Sequence, residues 1–329
     1  MDFCLRHYRR AEHAGRLRRF DVIGDHHPAM DESRMKPSRA AALPARDVPF
    51  LSSVRAEMPE PRTDAAPPFG PAPFEPDSYM VADVVPSPNF DDRAGGPPDI
   101  LLLHYTGMRS GEAALERLTS ADSKVSSHYV VFEDGRIVQC VPEDKRAWHA
   151  GVSFWAGETD INSRSVGIEI VNPGHEFGYP DFPLRQTAAL ITLCKSILKR
   201  HPGIVSERVL AHSDVAPARK QDPGEKFPWE LLSDSGVGHW VRAAPLNVPG
   251  MTLMTGYTGE AVGRLQRLLK TYGYGIEENG RYDETTRDVV AAFQRHFRQA
   301  RVDGIADPST LMTLRALIET RPRREQAAQ

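Results

Sequence analysis

Short apolar runs that end at polar residues limit most strongly what residues 96–244 can fold into. The run "PDILLLHY" reaches His104, "SRSVGIEIVN" carries Glu169 among apolar residues, and "RVLAH" ends at His212. Runs this short, bounded by Pro, Gly or polar residues, are typical of buried strands rather than of helices. The sequence therefore predicts a sheet with polar side chains at or near the strand ends.

A hairpin and a helix complete the predicted layout of this region. Glu133-Asp134-Gly135 separates two apolar runs in "SSHYVVFEDGRIVQCV", which indicates a β-hairpin. The segment "PLRQTAALITLCKSILKRHPG" predicts a helix whose apolar face is formed by Leu184, Ala188, Ile191 and Leu198. Strands and helices in this order predict an α/β fold, a mixed central β-sheet flanked by helices, over residues 80–242.

The chain on either side of this domain has a different character. Residues 1–79 are rich in Pro and lack a helical or strand period, so we expect a mostly disordered extension. Met80 is a candidate start of translation, and whether the extension belongs to the functional protein stays open. The basic run in residues 1–20 lacks the apolar stretch of a secretory signal, so it is interpreted as a solvated tail.

A small helical domain is predicted after a linker at residues 243–252. Residues 253–320 contain three amphipathic segments, which predict a C-terminal three-helix domain, followed by a tail at 321–329. A weak internal repeat, G-x-x-D-x-x-T, precedes the second and third helices, at Gly280 and at Gly304. The second copy places Asp307 as N-cap before Pro308. This domain has no catalytic constellation, so binding is its expected role.

Charge and composition exclude several classes of protein. The net charge of −3 gives no electrostatic case for a nucleic-acid or anionic-membrane partner. No apolar run approaches the roughly 18 residues of a membrane span. The 3 cysteines form neither a disulfide framework nor a metal knuckle. We expect a cytoplasmic monomer, with the periplasm or the cell envelope as the alternative location.

Five polar residues could form a catalytic metal site. His104, His212 and Asp222 suit zinc, because catalytic zinc sites use three protein ligands and leave a fourth position for water. Zinc lowers the pKa of that water to about 7. A carboxylate such as Glu169 can take the proton, and a cation such as Lys220 can stabilise an oxyanion.

Each of these residues also has a purely structural interpretation. Either histidine could be a hydrogen-bonded core residue, and Asp222, before Pro-Gly, could be a turn residue. Glu169 could face solvent on an alternating strand, and Lys220 could be a surface lysine. Spacing alone leaves these interpretations open.

Five motifs in order resemble the zinc-dependent N-acetylmuramoyl-L-alanine amidases, whose fold is shared with peptidoglycan recognition proteins. They are "LLLHYTGM", "SSHYVVFEDGRIVQCV", "RAWHAG", "INSRSVGIEI" and "AHSDVAPARKQDPG". The resemblance covers about residues 90–235. It implies that His104, His212 and Asp222 bind one Zn²⁺ per chain. It also implies that Glu169 is the general base and that Lys220 stabilises the transition state.

Further site residues have two interpretations each. Trp148 could line the substrate groove or pack in the core, and His149 could be a spare ligand or a substrate contact. Asn162 could bind substrate or cap a turn. Asp214 is interpreted as a turn residue or as a residue that supports a ligand.

The C-terminal segment, about 255–318, is similar to the peptidoglycan-binding type 1 domain through "VGRLQRLLKTYGY", "NGRYDETTRDVVAAFQ" and "VDGIADPSTLMTL". The resemblances together imply an amidase that acts on peptidoglycan or muropeptides, on the bond between the lactyl group of N-acetylmuramic or anhydro-muramic acid and L-alanine. The alternatives are a non-catalytic peptidoglycan recognition protein and a scaffold protein with a structural zinc site. A structural site needs four protein ligands, and the sequence offers no convincing fourth one.

Overall fold

The structure, a computed structural model, describes residues 74–321. Most of the predicted N-terminal extension and nearly all of the tail lie outside the described residues. The start of the domain, however, lies earlier than Met80. The backbone N–H of Glu143 donates to Asp77 Oδ2 at 2.9 Å, and Ser78 is buried. Asp77 and Ser78 therefore belong to the folded part, because their polar groups are bonded to the sheet domain.

The described residues form a six-stranded mixed sheet and a separate two-stranded ribbon. The strands are β1 (Asp83–Val84), β2 (Phe90–Asp92), β3 (Ile100–Tyr105), β4 (Tyr129–Val131), β5 (Ile137–Gln139), β6 (Lys145–Ala147), β7 (Ser165–Ile170) and β8 (Val209–Ala211). The sheet has the order β1-β5-β4-β7-β3-β8, and β2 pairs with β6. Only the β4–β5 hairpin is antiparallel within the larger sheet. The predicted hairpin and mixed sheet are confirmed.

The helices are α1 (Gly111–Thr119), α2 (Ile161–Arg164), α3 (Leu184–Arg200), α4 (His212–Val215), α5 (Trp229–Asp234), α6 (Glu260–Tyr272), α7 (Glu284–Phe297) and α8 (Pro308–Glu319). Short 3₁₀ turns lie at 121–123, 175–177 and 206–208. None of the helices within residues 74–321 combines the length and apolar character that crossing a bilayer requires. The prediction that His212 ends a strand is wrong, since β8 ends at Ala211 and His212 opens α4.

The two faces of the sheet are buried against different partners. Leu101 and Leu103 of β3 belong to a core shared with α3 and α5. Ile100 and Leu102, on the opposite face of β3, belong to a core that also contains residues of α6, α7 and α8. The alternation of β3 therefore joins the sheet domain and the C-terminal helices into one buried structure.

The segment between the two predicted domains is bound to α8. Ser309 donates its hydroxyl to the Ala244 carbonyl at 2.6 Å, and the Ala244 N–H donates to Thr313 Oγ1 at 3.0 Å. Gln299, just after α7, makes further contacts with the sheet domain: its side chain donates to the carbonyls of Glu225 and Phe227, each at 2.7 Å. The C-terminal helices are thus docked on the sheet domain.

The internal repeat has a structural explanation in two buried glutamines. Gln266 of α6 accepts from the Gly280 N–H and donates to the Arg281 carbonyl, both at 2.9 Å. Gln294 of α7 repeats the pattern, accepting from the Gly304 N–H at 2.8 Å and donating to the Ile305 carbonyl at 2.9 Å. In each copy one helix thereby fixes the turn that opens the next helix.

Candidate active site

Three candidate ligand atoms for a metal ion converge at the carboxyl ends of β3 and β8. His104 Nδ1 lies 2.9 Å from His212 Nδ1, and Asp222 Oδ2 lies 3.0 Å from His212 Nδ1 and 3.2 Å from His104 Nδ1. All three residues are buried. Parallel strands β3 and β8 place the two histidines side by side, and the loop after α4 returns Asp222 to them. The Ser213 N–H donates to the Asp222 carbonyl at 3.0 Å, which fixes this return.

The hydrogen bond of His212 assigns its tautomer. Its Nε2 lies 3.0 Å from the Ala150 carbonyl oxygen, which can only accept. His212 therefore carries its proton on Nε2, and in the neutral ring Nδ1 presents a lone pair to the converging atoms.

A longer chain of hydrogen bonds assigns the tautomer of His104. Ser165 donates its hydroxyl to the Ile161 carbonyl at 2.6 Å, so its oxygen accepts from His149 Nε2 at 3.3 Å. His149 Nδ1 is then an acceptor, and His104 Nε2 donates to it across 3.0 Å. His104 Nδ1 is left with a lone pair that points toward His212. Burial lowers the pKa of His104 to about 4, which keeps the ring neutral near pH 7.

Two nitrogen lone pairs and a carboxylate oxygen at this separation form a set of donor atoms that could hold a cation. Tetrahedral zinc with bonds of about 2.0–2.1 Å places its ligand atoms about 3.3 Å apart. The observed separations of 2.9, 3.0 and 3.2 Å are close to that value. The residue types, the ring tautomers and the distances therefore fit a metal ion held by His104, His212 and Asp222.

Glu169 lies beside the three ligand residues. Its Cα is the direct partner of the His104 Cα in the pairing of β3 with β7. One carboxylate oxygen, Oε2, is buried and has no hydrogen-bond partner within residues 74–321. Burial and the negative charge of Asp222 raise the pKa of Glu169 to about 8, while the Lys220 ammonium partly offsets them. A carboxylate in this environment can accept and release a proton near neutral pH.

A cleft of about 450 Å³ opens above these residues. Glu169 and Lys220 line it together with all three ligand residues. Lys220 is partly exposed. Its positive charge lowers the pKa of both Glu169 and His104, so it lies close enough to interact electrostatically with these two residues. The structure thus brings together all five residues that the sequence singles out.

The three predicted substrate contacts have different positions. Trp148 is partly exposed in the cleft wall, and its indole N–H donates to Asp91 Oδ2 at 2.7 Å. His149 also lines the cleft, but its Nδ1 is occupied by the bond from His104. Asn162 points elsewhere: its Oδ1 accepts from the backbone N–H groups of His149 and Ala150, at 3.1 and 2.8 Å. Asn162 therefore holds the loop that carries His149, and this geometry favours the turn interpretation over substrate binding.

Ser165 and Gly167 are site residues that the sequence interpretation missed. A Cβ atom on Gly167 would lie 2.6 Å from His149 Nδ1, so only glycine leaves room for the imidazole. The alternation of side chains along β7 is the sequence feature that could have identified them, because Ser165, Gly167 and Glu169 share one face of the strand. Val166 and Ile168, on the other face, lie in the core next to α3.

Comparison with known proteins identifies the families that the chain resembles. Residues 94–225 match the family model for N-acetylmuramoyl-L-alanine amidase, and residues 258–314 match that for a peptidoglycan binding domain. The chain is 39% identical over 232 residues to N-acetylmuramoyl-L-alanine amidase AmiD of Escherichia coli K12, covering 67% of this chain and 82% of AmiD. It is 35% identical over 163 residues to 1,6-anhydro-N-acetylmuramyl-L-alanine amidase AmpD of Citrobacter freundii, covering 44% of this chain and 84% of AmpD.

A solved structure is also similar to this chain. The complex of E. coli AmiD with anhydro-N-acetylmuramic acid-L-Ala-D-gamma-Glu-L-Lys has a TM-score of 0.58 and 35% sequence identity, covering 70% of this chain and 92% of that one. This chain is therefore a member of the N-acetylmuramoyl-L-alanine amidase family, with a C-terminal peptidoglycan-binding-type domain.

Proposed function

We propose that the chain is a zinc-dependent amidase with one Zn²⁺ per monomer. Its substrate would be peptidoglycan or a muropeptide, cleaved between the lactyl group of N-acetylmuramic or anhydro-muramic acid and L-alanine. The observation that carries the proposal is the convergence of His104 Nδ1, His212 Nδ1 and Asp222 Oδ2 beside the unpaired Oε2 of Glu169. When bound, zinc supplies a Lewis acid that polarises the scissile carbonyl and makes water a stronger acid.

Glu169 moves the proton in this mechanism. Its carboxylate accepts a proton from the attacking water as the oxygen adds to the carbonyl carbon. The same proton then passes to the nitrogen of L-alanine as the C–N bond breaks. The products are the lactyl carboxylate and a stem peptide with a free amine. The raised pKa of Glu169 brings its basicity close to neutral pH, which suits a group that both accepts and releases a proton.

Lys220 contributes charge at the carbonyl oxygen. The side chain lines the same cleft as Glu169 and carries an ammonium group. Negative charge develops on the carbonyl oxygen in the tetrahedral transition state, and a fixed cation nearby stabilises it more than it stabilises the neutral substrate.

The rival function is peptidoglycan binding without cleavage. A binding protein has no need for three converging ligand atoms or for an adjacent unpaired carboxylate. Both features occur together here, which favours the enzyme. Comparing intact sacculi with soluble anhydro-muropeptides as substrates would distinguish wall turnover from recycling. A cytoplasmic location favours the soluble substrate, and the envelope alternative favours the polymer.

The proposal is tested by replacing Glu169 while leaving the ligand residues in place. We expect Glu169→Gln to retain stoichiometric zinc and to lower turnover by about 10²- to 10⁴-fold, because the proton acceptor is removed. Metal analysis and release of new amine from a purified muropeptide measure the two properties. Glu112→Gln, at an exposed position of α1 that is not among the residues lining the cleft, serves as the control and should keep wild-type turnover. A zinc-loaded Glu169→Gln protein with the wild-type rate would refute this role.

A further inference from the structure

The carboxylate of Asp214 lies fully buried between the sheet domain and the C-terminal helices. Its Oδ2 accepts from the Ala211 N–H at 2.8 Å and from His296 Nδ1 at 2.7 Å, and its Oδ1 accepts from the Tyr274 hydroxyl at 2.6 Å. Ala211 belongs to the sheet domain, whereas Tyr274 and His296 belong to the C-terminal unit.

We propose that Tyr274 and His296 are positioning residues for the metal ligand His212, acting through Asp214. The C-terminal unit would then stabilise the position of a metal ligand, in addition to any binding of peptidoglycan. The inference rests on the metal centre proposed above, and it concerns residues whose side chains form hydrogen bonds with Asp214.

The first step links Asp214 to His212. Ala211 directly precedes His212, and the bond from its N–H to Asp214 fixes the backbone where β8 passes into α4. Ser213, on the other side of His212, donates its N–H to the Asp222 carbonyl. The backbone of one ligand is therefore held from both sides, by Asp214 and by the loop that carries Asp222.

The second step fixes Asp214 from the C-terminal side. The His296 ring stacks on Trp229 of the sheet domain, with centroids 3.7 Å apart and planes at 25°. The Tyr274 ring contacts Trp155 edge to face, with centroids 5.0 Å apart. Both side chains are buried. Their apolar contacts prevent them from following Asp214 if it moves.

The third step is energetic. A buried carboxylate is stable only while its oxygens have hydrogen-bond partners. Removing the Tyr274 hydroxyl leaves Oδ1 without this donor, so Asp214 must shift toward other donors or admit water. Because Oδ2 of the same carboxylate holds Ala211, that shift displaces the backbone at His212. Disturbed support of a metal ligand typically lowers metal affinity by about 10- to 100-fold.

The test uses the full chain and a pair of matched variants. Tyr274→Phe removes the hydroxyl that reaches Asp214. Tyr272→Phe removes the hydroxyl of an equally buried tyrosine in the same interface. That hydroxyl lies 3.1 Å from His239 Nδ1 and forms no hydrogen bond with Asp214. Zinc affinity is measured by competition with a chelator, without substrate. The visible spectrum of the Co²⁺-loaded protein reports the geometry of the ligands.

We expect Tyr274→Phe to lose about 10- to 100-fold in zinc affinity and to alter the Co²⁺ spectrum, while Tyr272→Phe changes neither. His296→Ala should have a similar effect, and if it does not fold, the two tyrosine variants decide. Equal affinities and spectra for the two tyrosine variants would overturn the positioning role. Failure of the wild-type chain to bind zinc would overturn the metal centre itself, which is a separate outcome.

Discussion

His149 illustrates how one side chain can determine the chemistry of another. Its Nδ1 accepts a hydrogen bond from His104 Nε2 and its Nε2 donates one to Ser165 Oγ, so the lone pair of His104 Nδ1 faces His212. The sequence suggested a spare ligand or a substrate contact for His149. The structure shows its Nδ1 bonded to His104, so that it orients the His104 ring, and this role can be recognised only when both hydrogen-bond partners are known.

This arrangement leads to a prediction for His149→Ala. We expect zinc affinity to fall by about 10- to 100-fold, because His104 loses the acceptor that selects its tautomer. The measurement is competition with a chelator at pH 7. His201→Ala is a suitable control, since His201 is a partly buried histidine bonded to Glu143 away from the cleft. Unchanged zinc affinity in His149→Ala would contradict the proposed tautomer chain.

Glu169 predicts a specific pH dependence for the metal-free protein. Its pKa is about 8 in the folded state, against 4.5 as an ordinary glutamate. Between these values the folded state binds more protons than the unfolded state, so the free energy of unfolding decreases as pH rises from about 4.5 to 8.

We therefore expect metal-free Glu169→Gln to lose less stability between pH 5 and pH 8 than the metal-free wild-type protein. Urea unfolding at both pH values, in the presence of a chelator, measures the difference. Identical pH dependence in the two proteins would show that the buried carboxyl group titrates normally.

The five residues that line the cleft were identifiable from the sequence because they belong to short motifs, whereas the residues that support them were not. His104, His212, Asp222, Glu169 and Lys220 all meet in the cleft. The sequence does not reveal the roles of Ser165 and Gly167, because both depend on contact with the imidazole ring of His149, which belongs to a different segment. Period-2 alternation in β7 marks their face as unusual, but it does not say which side chain occupies it.

Helix α3 shows why the location of an element is easier to predict than its orientation. The helix was predicted and is present, but Leu184, one of four residues assigned to its buried face, is 58% exposed. Gln186 is fully buried instead, and its amide donates to the carbonyls of Val131 and Val171 at 3.1 and 2.8 Å. The buried face of the helix is rotated away from Leu184 because Gln186 forms hydrogen bonds with carbonyl groups at the ends of two strands. A hydrophobic pattern cannot predict such hydrogen-bond partners.

The internal repeat gives a prediction for helix α7. Gln294 makes hydrogen bonds to both sides of the turn before α8, and its side chain is fully buried. We expect Gln294→Ala to lower the free energy of unfolding by about 3 kcal/mol, because one buried and two partly buried backbone groups lose their partners. Chemical denaturation measures this. Thr285→Ala, at an exposed position of the same helix, should cost much less; equal costs would contradict the role of Gln294.

The sequence divided the molecule into two domains joined by a linker, and the shared core changes that picture. Leu102 of β3, Trp155 and Phe293 of α7 belong to a single buried cluster. Hydrophobic periodicity identifies which residues are buried but not which segment covers them. The docking of the C-terminal helices on the sheet was therefore beyond the reach of the sequence.

A shared core predicts cooperative unfolding of residues 74–321. We expect backbone amides in α3 and in α7 to become exchangeable at the same urea concentration, because neither unit keeps its apolar face covered without the other. Hydrogen exchange followed by mass spectrometry on peptides from each helix measures this. Exchange of α6, α7 and α8 at clearly lower urea, with α3 still protected, would show that the two units unfold independently.

The bonds of Ala244 to Ser309 and Thr313 determine how the C-terminal unit can serve the cleft. A binding module on a free linker searches a volume whose size depends on linker length, and it raises the local concentration of substrate without regard to direction. A docked module holds its ligand at one distance and one angle from the cleft. For a polymer with a regular repeat, such an arrangement would fix the spacing between the bound unit and the bond that lies next to Glu169.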